Sequence, residues 1–453
     1  MAAEQPAKKF TLGRVLRLSS FQIGSAMGDI LVTSIWNRVM ISNFGIPAAP
    51  VSFLIALRYL ISPLSLWAGY RSDNRPLFGF RRTSYIWLGR ALMIVSLPIL
   101  GLSLMRFETY QSDTIGWLLA IVSSLLYGIG TLISGSPYLA LVRDSAPPEK
   151  QGLAISIVET VLIICFAVVG IAFAAWMEVY NQQLFWQLVL ATMLVGGFFW
   201  VFAIAGIEKR SYGRSPESVW TVPSNSFLAT LRKIWSDPRT RGFFIFLSLA
   251  TLSAWMQDAI LEPFGADVFS FTAGRTTRFN SFWQVATVVT LVASVLVLRK
   301  RPPERQGKIT GFGLLVMALG MASLAFCSLT SRQNLVELSL LLFGAGFGIY
   351  TFGGLSLMAV MSADRNAGAY LGLWTVSILV FKGLGTFLGG ALRDLFYLSA
   401  NLPPTTSYGL VFLLAAVGLV LSVYLLSRVD IVGFARDYGR PVSYEEAQMA
   451  GAD

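Results

Sequence analysis

Histidine is absent from the 453-residue chain, cysteine occurs twice, and only 13% of the residues are charged. The missing histidine removes the commonest general base and metal ligand from any mechanism. Cys165 and Cys327 sit inside apolar runs in opposite halves, so neither a disulfide framework nor a zinc site is expected. Nucleotide loop, nucleophile elbow and metal triad are lacking too, and enzyme activity is not expected. The first apolar run is too long for a secretory h-region and has no small-residue cleavage site; it reads as a retained membrane helix.

Apolar surface dominates what is there. Hydrophobic residues make up 55% of the chain and the mean hydropathy is +0.64, values of an integral membrane protein. The length accommodates twelve spans of about 20 residues with short loops. A formal charge of +11 is no nucleic-acid footprint here, because most Lys and Arg fall in alternate loops: Lys8, Lys9, Arg14 and Arg17, then Arg71, Arg75, Arg81 and Arg82, and later Arg299, Lys300 and Arg301. The positive-inside rule then puts both termini in the cytoplasm, which requires an even number of spans.

The expected organisation is an all-α polytopic protein of twelve transmembrane helices. Residues 1–207 form one six-helix bundle and 241–430 a second, with 208–240 a cytoplasmic linker and 431–453 a cytoplasmic tail. In the linker Phe227, Leu228, Leu231, Ile234 and Trp235 recur at helical spacing beside Arg232 and Lys233, as an interfacial helix requires. Residues 8–18 suit either a short helix on the lipid surface or an ordinary basic flank. Leu125-Leu126-Tyr127-Gly128-Ile129-Gly130 and Leu341-Leu342-Phe343-Gly344-Ala345-Gly346 lie 216 residues apart, and Gly152 and Gly368 keep that offset. Self-similarity at half the chain length implies two bundles related by an axis along the membrane normal.

Residues 255–265, Trp-Met-Gln-Asp-Ala-Ile-Leu-Glu-Pro-Phe-Gly, place two carboxylates and an amide in the seventh apolar run. Read as one helix, Asp258 and Glu262 share a face with Trp255 one turn earlier, and Pro263 and Gly265 end it. A lone charge at that depth costs roughly 2.5–3.5 kcal/mol, so the face is expected to point inward. The acids either lock two helices together or line a site for a polar or metal-bearing ligand. Phe44-Gly45 after helix 1 and Phe264-Gly265 after helix 7 differ by 220 residues, which makes Asn37 and Arg38 the counterparts of Gln257 and Asp258. The complementary charges point to a pair between Arg38 and Asp258 or Glu262 across a central cavity.

Gly69-Tyr70-Arg71-Ser72-Asp73, followed by Arg81-Arg82, resembles the helix 2–3 loop of the major facilitator superfamily, with a longer interval after Asp73. That likeness implies a conformational latch of Gly69, Asp73, Arg81 and Arg82. The strings Asn37-Arg38-Val39-Met40-Ile41 and Gln257-Asp258…Leu261-Glu262-Pro263-Phe264-Gly265, with Gly372-Leu373-Trp374, resemble the PucC/LhaA family, the bacteriochlorophyll-delivery branch of that superfamily. The resemblance spans essentially all twelve helices and implies the major facilitator fold of two six-helix bundles in a thylakoid or bacterial inner membrane. It further implies a protein that delivers pigment to, or assists assembly of, light-harvesting or photosystem complexes, with those subunits and pigment-synthesis enzymes as partners beside membrane lipid.

The implied cargo is chlorophyll or bacteriochlorophyll. Magnesium is a hard cation that takes oxygen donors, and without histidine Asp258 and Glu262 are the candidate axial ligands. Asn37, Arg38, Trp255, Gln257 and Trp374 complete the expected ligand-binding set. Two further readings stay open: a proton-coupled carrier of a small solute that uses the helix 7 carboxylates, and a membrane scaffold in which the charges are structural.

Overall fold

The computed structural model describes residues 11–147, 150–208, 232, 235–298, 303–362 and 367–437. Among them ten helices are long and apolar enough to cross a membrane. Two more spans, helices 1 and 7, are interrupted, and together they make the expected twelve. Helix 1 runs Phe21–Ile30 and continues through wider π turns at Leu31–Trp36 and Val39–Asn43; helix 7 is Pro238–Trp255, five residues of turn, then Leu261–Phe269. Helix 2 is Ala48–Leu60 and Pro63–Asn74, and helices 3, 4 and 5 are Thr83–Thr109, Thr114–Asp144 and Gln151–Trp176. Helix 6 comprises Gln182–Ala191, Thr192–Gly196 and Gly197–Ile204. Helices 8 to 12 are Ala273–Leu298, Pro303–Thr330, Val336–Val360, Ala367–Asp394 and Pro404–Arg428.

These pack into two compact units. The first holds Met1–Ile46, Leu57–Glu217 and Phe271–Ser281; the second holds Pro47–Ala56, Ser218–Ser270 and Phe282–Asp453. Of the expected linker helix, Phe227, Leu228, Leu231 and Ile234 lie outside the described residues, as does the tail beyond Asp437. The surface helix near the N-terminus is Leu12–Ser19: Val15 and Leu18 are buried while Leu12 and Leu16 are exposed. Arg17 ties it to the end of helix 6, donating through Nη2 to the carbonyls of Phe202 (2.9 Å) and Ala205 (2.5 Å). A basic side chain on otherwise unpaired C-terminal carbonyls is a favourable cap.

The internal repeat is visible in the packing. Where helix 3 crosses helix 4, a Cβ on Gly130 would meet the carbonyl oxygen of Gly89 and come within 2.8 Å of Met93 Cγ. Where helix 9 crosses helix 10, a Cβ on Gly346 would come within 2.8 Å of both the Gly313 carbonyl oxygen and Met317 Cγ. Each unit thus closes one helix pair with two glycines and a methionine, because small residues let backbones approach where no hydrophobic force drives helices together in lipid.

The sequence-based reading of helix 7 is overturned. The helix breaks at Met256–Ile260, so Asp258 and Glu262 are not on one continuous face with Trp255. Pro263 and Gly265 do not end it either. Both lie inside Leu261–Phe269, which ends at Ser270 with φ +56°. Pro263 is tolerated because the first turn of a helix has no use for its N–H. Glu262 occupies the same first turn, where the helix dipole favours an acid.

At the end of helix 11 in the second unit, Arg393 donates to Asp267 (3.0 Å), Asp394 (2.9 Å) and the Tyr408 hydroxyl (3.2 Å), while Tyr408 donates to Asp267 (2.6 Å). Asp394 also accepts the backbone N–H of Ala49 (2.7 Å), in the first turn of helix 2. Two carboxylates share one guanidinium, and a helix N-terminus offsets the second. Arg393→Ala is expected to cost about 3–5 kcal/mol by leaving both acids buried without it, read as thermal unfolding in detergent. At the start of helix 4, Arg106 from the last turn of helix 3 (Nε to Oδ2, 2.7 Å) holds the Asp113 carboxyl below its usual range, helped by the Gly116 N–H (2.9 Å). A depressed carboxylate contributes stability above its unfolded value of about 3.9 and loses it as pH falls through the lower folded value. Exchange of the Gly116 amide is expected to accelerate in Asp113→Ala at neutral pH, and in the native protein only below that window.

Candidate functional site

In the first unit, helix 4 supplies Tyr127-Gly128 from the repeat motif. Tyr127 donates to Asp29 Oδ1 of helix 1 (2.7 Å), and Arg58 of helix 2 donates to the same oxygen (2.5 Å). Glycines make room for both: a Cβ on Gly28 would sit 2.8 Å from the Tyr127 hydroxyl, and one on Gly128 would sit 3.0 Å from Arg58 Cβ. The Arg58 guanidinium lies 4.6 Å from the centre of the Tyr59 ring and also donates to its hydroxyl (2.5 Å). Asp29 keeps 24% of its side chain accessible, so this ion pair is not sealed.

The second unit uses the same frame for aromatics. Gly344, counterpart of Gly128, receives the Trp283 backbone of helix 8, and Trp283 meets Phe343 at 5.8 Å and Phe347 at 5.7 Å between ring centres. Trp255, at the end of the first segment of helix 7, lies edge-on to Trp283 (6.3 Å) and Phe347 (5.8 Å). Lys382 of helix 11 places Nζ 3.3 Å from the centre of the Trp255 ring. One turn further on, Thr386 donates to Asp258 Oδ2 (3.1 Å). Trp255 thus stands edge-on to two further rings with the Lys382 ammonium over its face, and half-buried Asp258, held by Thr386, lies in the turn that follows it.

The predicted residues divide by unit and by burial. Trp255 joins the aromatic cluster and half-buried Asp258 follows it in the turn, whereas Gln257 and Glu262 are buried at 3% and 1% exposure. Trp374 is fully buried two turns before Lys382, against Phe243 (4.9 Å) and Tyr370 (6.1 Å), in the packing of helices 7 and 11. Asn37 and Arg38 belong to the first unit and are buried; Arg38 donates to Asn43 Oδ1 (2.7 Å) and to the carbonyl of Phe271 (3.0 Å). Of the latch residues, Arg82 pairs with Asp144 at the end of helix 4. Glu208, at the end of helix 6, accepts the backbone N–H groups of Arg81 (2.7 Å), Arg82 (3.1 Å) and Thr83 (2.8 Å), capping helix 3. Gly69 faces Ser136, with room for a Cβ at 3.4 Å, and the side chain of Asp73 lies outside the described residues.

Sequence reasoning left Asp29, Arg58, Tyr127, Lys382 and Thr386 out of the site. For Asp29 and Arg58 a signal was present: two opposite charges in neighbouring apolar runs, neither affordable alone. Among the described residues no group of three or more acidic or cysteine side chains is placed to hold a metal ion.

Twelve helices, a twofold repeat and a broken seventh helix define a membrane protein of the major facilitator fold. The solved nucleoside transporter NupG superposes with a TM-score of 0.67 at 13% identity, covering 92% of this chain and 100% of that one. A POT family transporter gives 0.68 at 13% identity, covering 96% and 99%. The chain belongs to the PUCC protein family, whose model matches residues 35–434. It is 28% identical over 399 residues to Protein PucC of Rhodovulum sulfidophilum, covering 86% of this chain and 87% of that protein. It is also 28% identical over 412 residues to a Rhodobacter capsulatus protein named Bacteriochlorophyll synthase 44.5 kDa chain, covering 89% and 92%.

The break in helix 7 depends on bare backbone opposite it. A Cβ on Gly389 of helix 11 would collide with the Met256 carbonyl oxygen freed by the break, and one on Gly385 with that of Leu252. Gly389→Ala is therefore expected to destabilise the protein by about 1–3 kcal/mol and to separate helix 7 from helix 11, which a cysteine cross-link between the two helices would report as a reduced yield.

Proposed function

We propose that this protein handles chlorophyll or bacteriochlorophyll in a photosynthetic membrane and passes it to light-harvesting or photosystem subunits without catalysing its synthesis. Family membership supports the setting, and the observation that carries the reading is the half-buried Asp258 carboxylate, held by Thr386 in the turn that follows Trp255, whose ring meets those of Trp283 and Phe347. A macrocycle stacks on such a wall and its magnesium takes one oxygen donor. Glu262, buried in its own helix turn, is the weaker candidate for that donor. The buried Arg38 and Asn37 act in this reading by fixing the end of helix 1. Cytoplasmic termini follow from the loop charges, and pigment-synthesis enzymes are the expected suppliers of cargo. A second reading, a proton-coupled carrier of a small solute, draws on the transporter fold and on the accessible Asp29–Arg58 pair.

Purification in mild detergent from a phototrophic host separates them. Pigment is expected to copurify in stoichiometric amount. Asp258→Ala should lose most of it, and Thr386→Val, which removes the group orienting the carboxylate, should weaken retention roughly tenfold. Exposed Arg232→Ala should retain it fully. Equal pigment in Asp258→Ala and the native protein at matched expression would refute the assignment, and solute uptake by pigment-free proteoliposomes would favour the carrier.

A further inference from the structure

Beside the Asp29–Arg58 pair, the first unit buries a second arginine that has no carboxylate of its own. Arg90 of helix 3 is 6% exposed and makes no ion pair among the described residues. Its Cζ lies 4.3 Å from the centre of the Phe21 ring and 4.9 Å from that of Trp200. Its Nη1 donates to Met93 Sδ (3.2 Å), a weak acceptor that also receives Thr131 Oγ1 (3.6 Å). The Arg90 Nε–H has no acceptor, nor has the Nε1–H of Trp200, itself 1% exposed. Asp29 acts on Arg90 as well but is hydrogen-bonded by Arg58 and Tyr127, so two buried guanidiniums share one carboxylate and the direct contacts of Arg90 are ring faces and a thioether.

A guanidinium stays protonated at any accessible pH, and cation–π contacts offset only part of the cost of burying it. Two sealed N–H donors add the penalty of unmade hydrogen bonds. Both call for the same occupant, a group that only accepts and carries negative charge. Water fits less well, since it brings two donors of its own to a place where donors already exceed acceptors. The enclosure also limits size: Phe21 is 0% exposed, and a Cβ on Gly24 would come within 2.7 Å of Trp200 Nε1. We propose that Arg90 and Trp200 bind a small monovalent anion of the halide class inside the first unit.

The test uses the full chain in detergent. Chloride or bromide is titrated against gluconate at constant ionic strength, and Tm is followed. A saturable rise of about 2 °C or more is expected, since a ligand that binds only the folded state raises Tm with its concentration. Arg90→Gln should abolish the dependence. Should that variant fail to fold, Trp200→Phe, which removes one donor and keeps the ring, should raise the half-saturating concentration roughly tenfold. Indistinguishable Tm values in chloride and gluconate would show that no halide is bound and would overturn the proposal. An unchanged half-saturation in Trp200→Phe would overturn the site.

Discussion

A charge carried into hydrocarbon has to be answered inside the bundle that carries it, and this requirement sets which helices of the chain can touch. Arg58 brings helix 2 onto Asp29 of helix 1 and within reach of Tyr127 on helix 4. Arg393 gathers Asp267 and Tyr408 around the end of helix 11, where Asp394 also takes an amide from helix 2. The glycines come second in this logic: Gly28 and Gly128 are needed because the polar groups must meet at hydrogen-bond distance. Each cluster is worth little as net stabilisation against an apolar alternative, yet each is costly to break by half, so its service is to register.

The two halves share a scaffold and diverge in chemistry. Tyr127-Gly128 and Phe343-Gly344 are repeat-related, and both glycines receive the backbone of the neighbouring helix. In the first unit the residue received is Arg58, and the hydroxyl of Tyr127 completes an ion-pair network. In the second it is Trp283, and Phe343, lacking a hydroxyl, completes an aromatic stack. One oxygen atom on the motif's aromatic residue therefore accompanies the change from a polar nest to an apolar wall. Such divergence is open to a duplicated bundle because the glycine crossings of helices 3–4 and 9–10 hold the frame independently of what lines it.

Span number and the family were legible because they rest on properties that add along the chain, such as hydropathy, whereas the compact units are not the contiguous stretches 1–207 and 241–430: Pro47–Ala56 falls in the second and Phe271–Ser281 in the first. The site was legible only in part. Trp255 and Asp258 stood out as aromatic and polar residues in an apolar run; Trp255 packs against Trp283 and Phe347, and Asp258 accepts from Thr386. The break between Trp255 and Leu261 left no mark there, since Met256–Ile260 contains neither proline nor glycine. What permits it stands more than a hundred residues later, in Gly385 and Gly389 on helix 11. The partners of Arg82 and Arg81 in the helix 2–3 loop, Asp144 at the end of helix 4 and Glu208 beyond helix 6, stand outside any local motif.

Irregular backbone falls at corresponding places in helices 1 and 7, around Asn37-Arg38 and around Gln257-Asp258, but in two forms. Helix 1 widens into π turns, so its carbonyls still find donors further along the chain: Val39 takes the Phe44 N–H one residue beyond the α-helical partner and Met40 takes the Ile46 N–H two beyond it, at 3.0 Å each. Helix 7 stops and restarts, and its freed Met256 carbonyl is set against the bare Cα of Gly389. A restarted helix presents a new positive end within the membrane, the feature that broken-helix carriers aim at anionic substrates. Here that end is taken by the protein's own Glu262. The restarted segment thus carries an acid of its own in its first turn, and the half-buried Asp258 in the turn before it is held by Thr386, so the break presents carboxylates of the protein rather than an empty helix end.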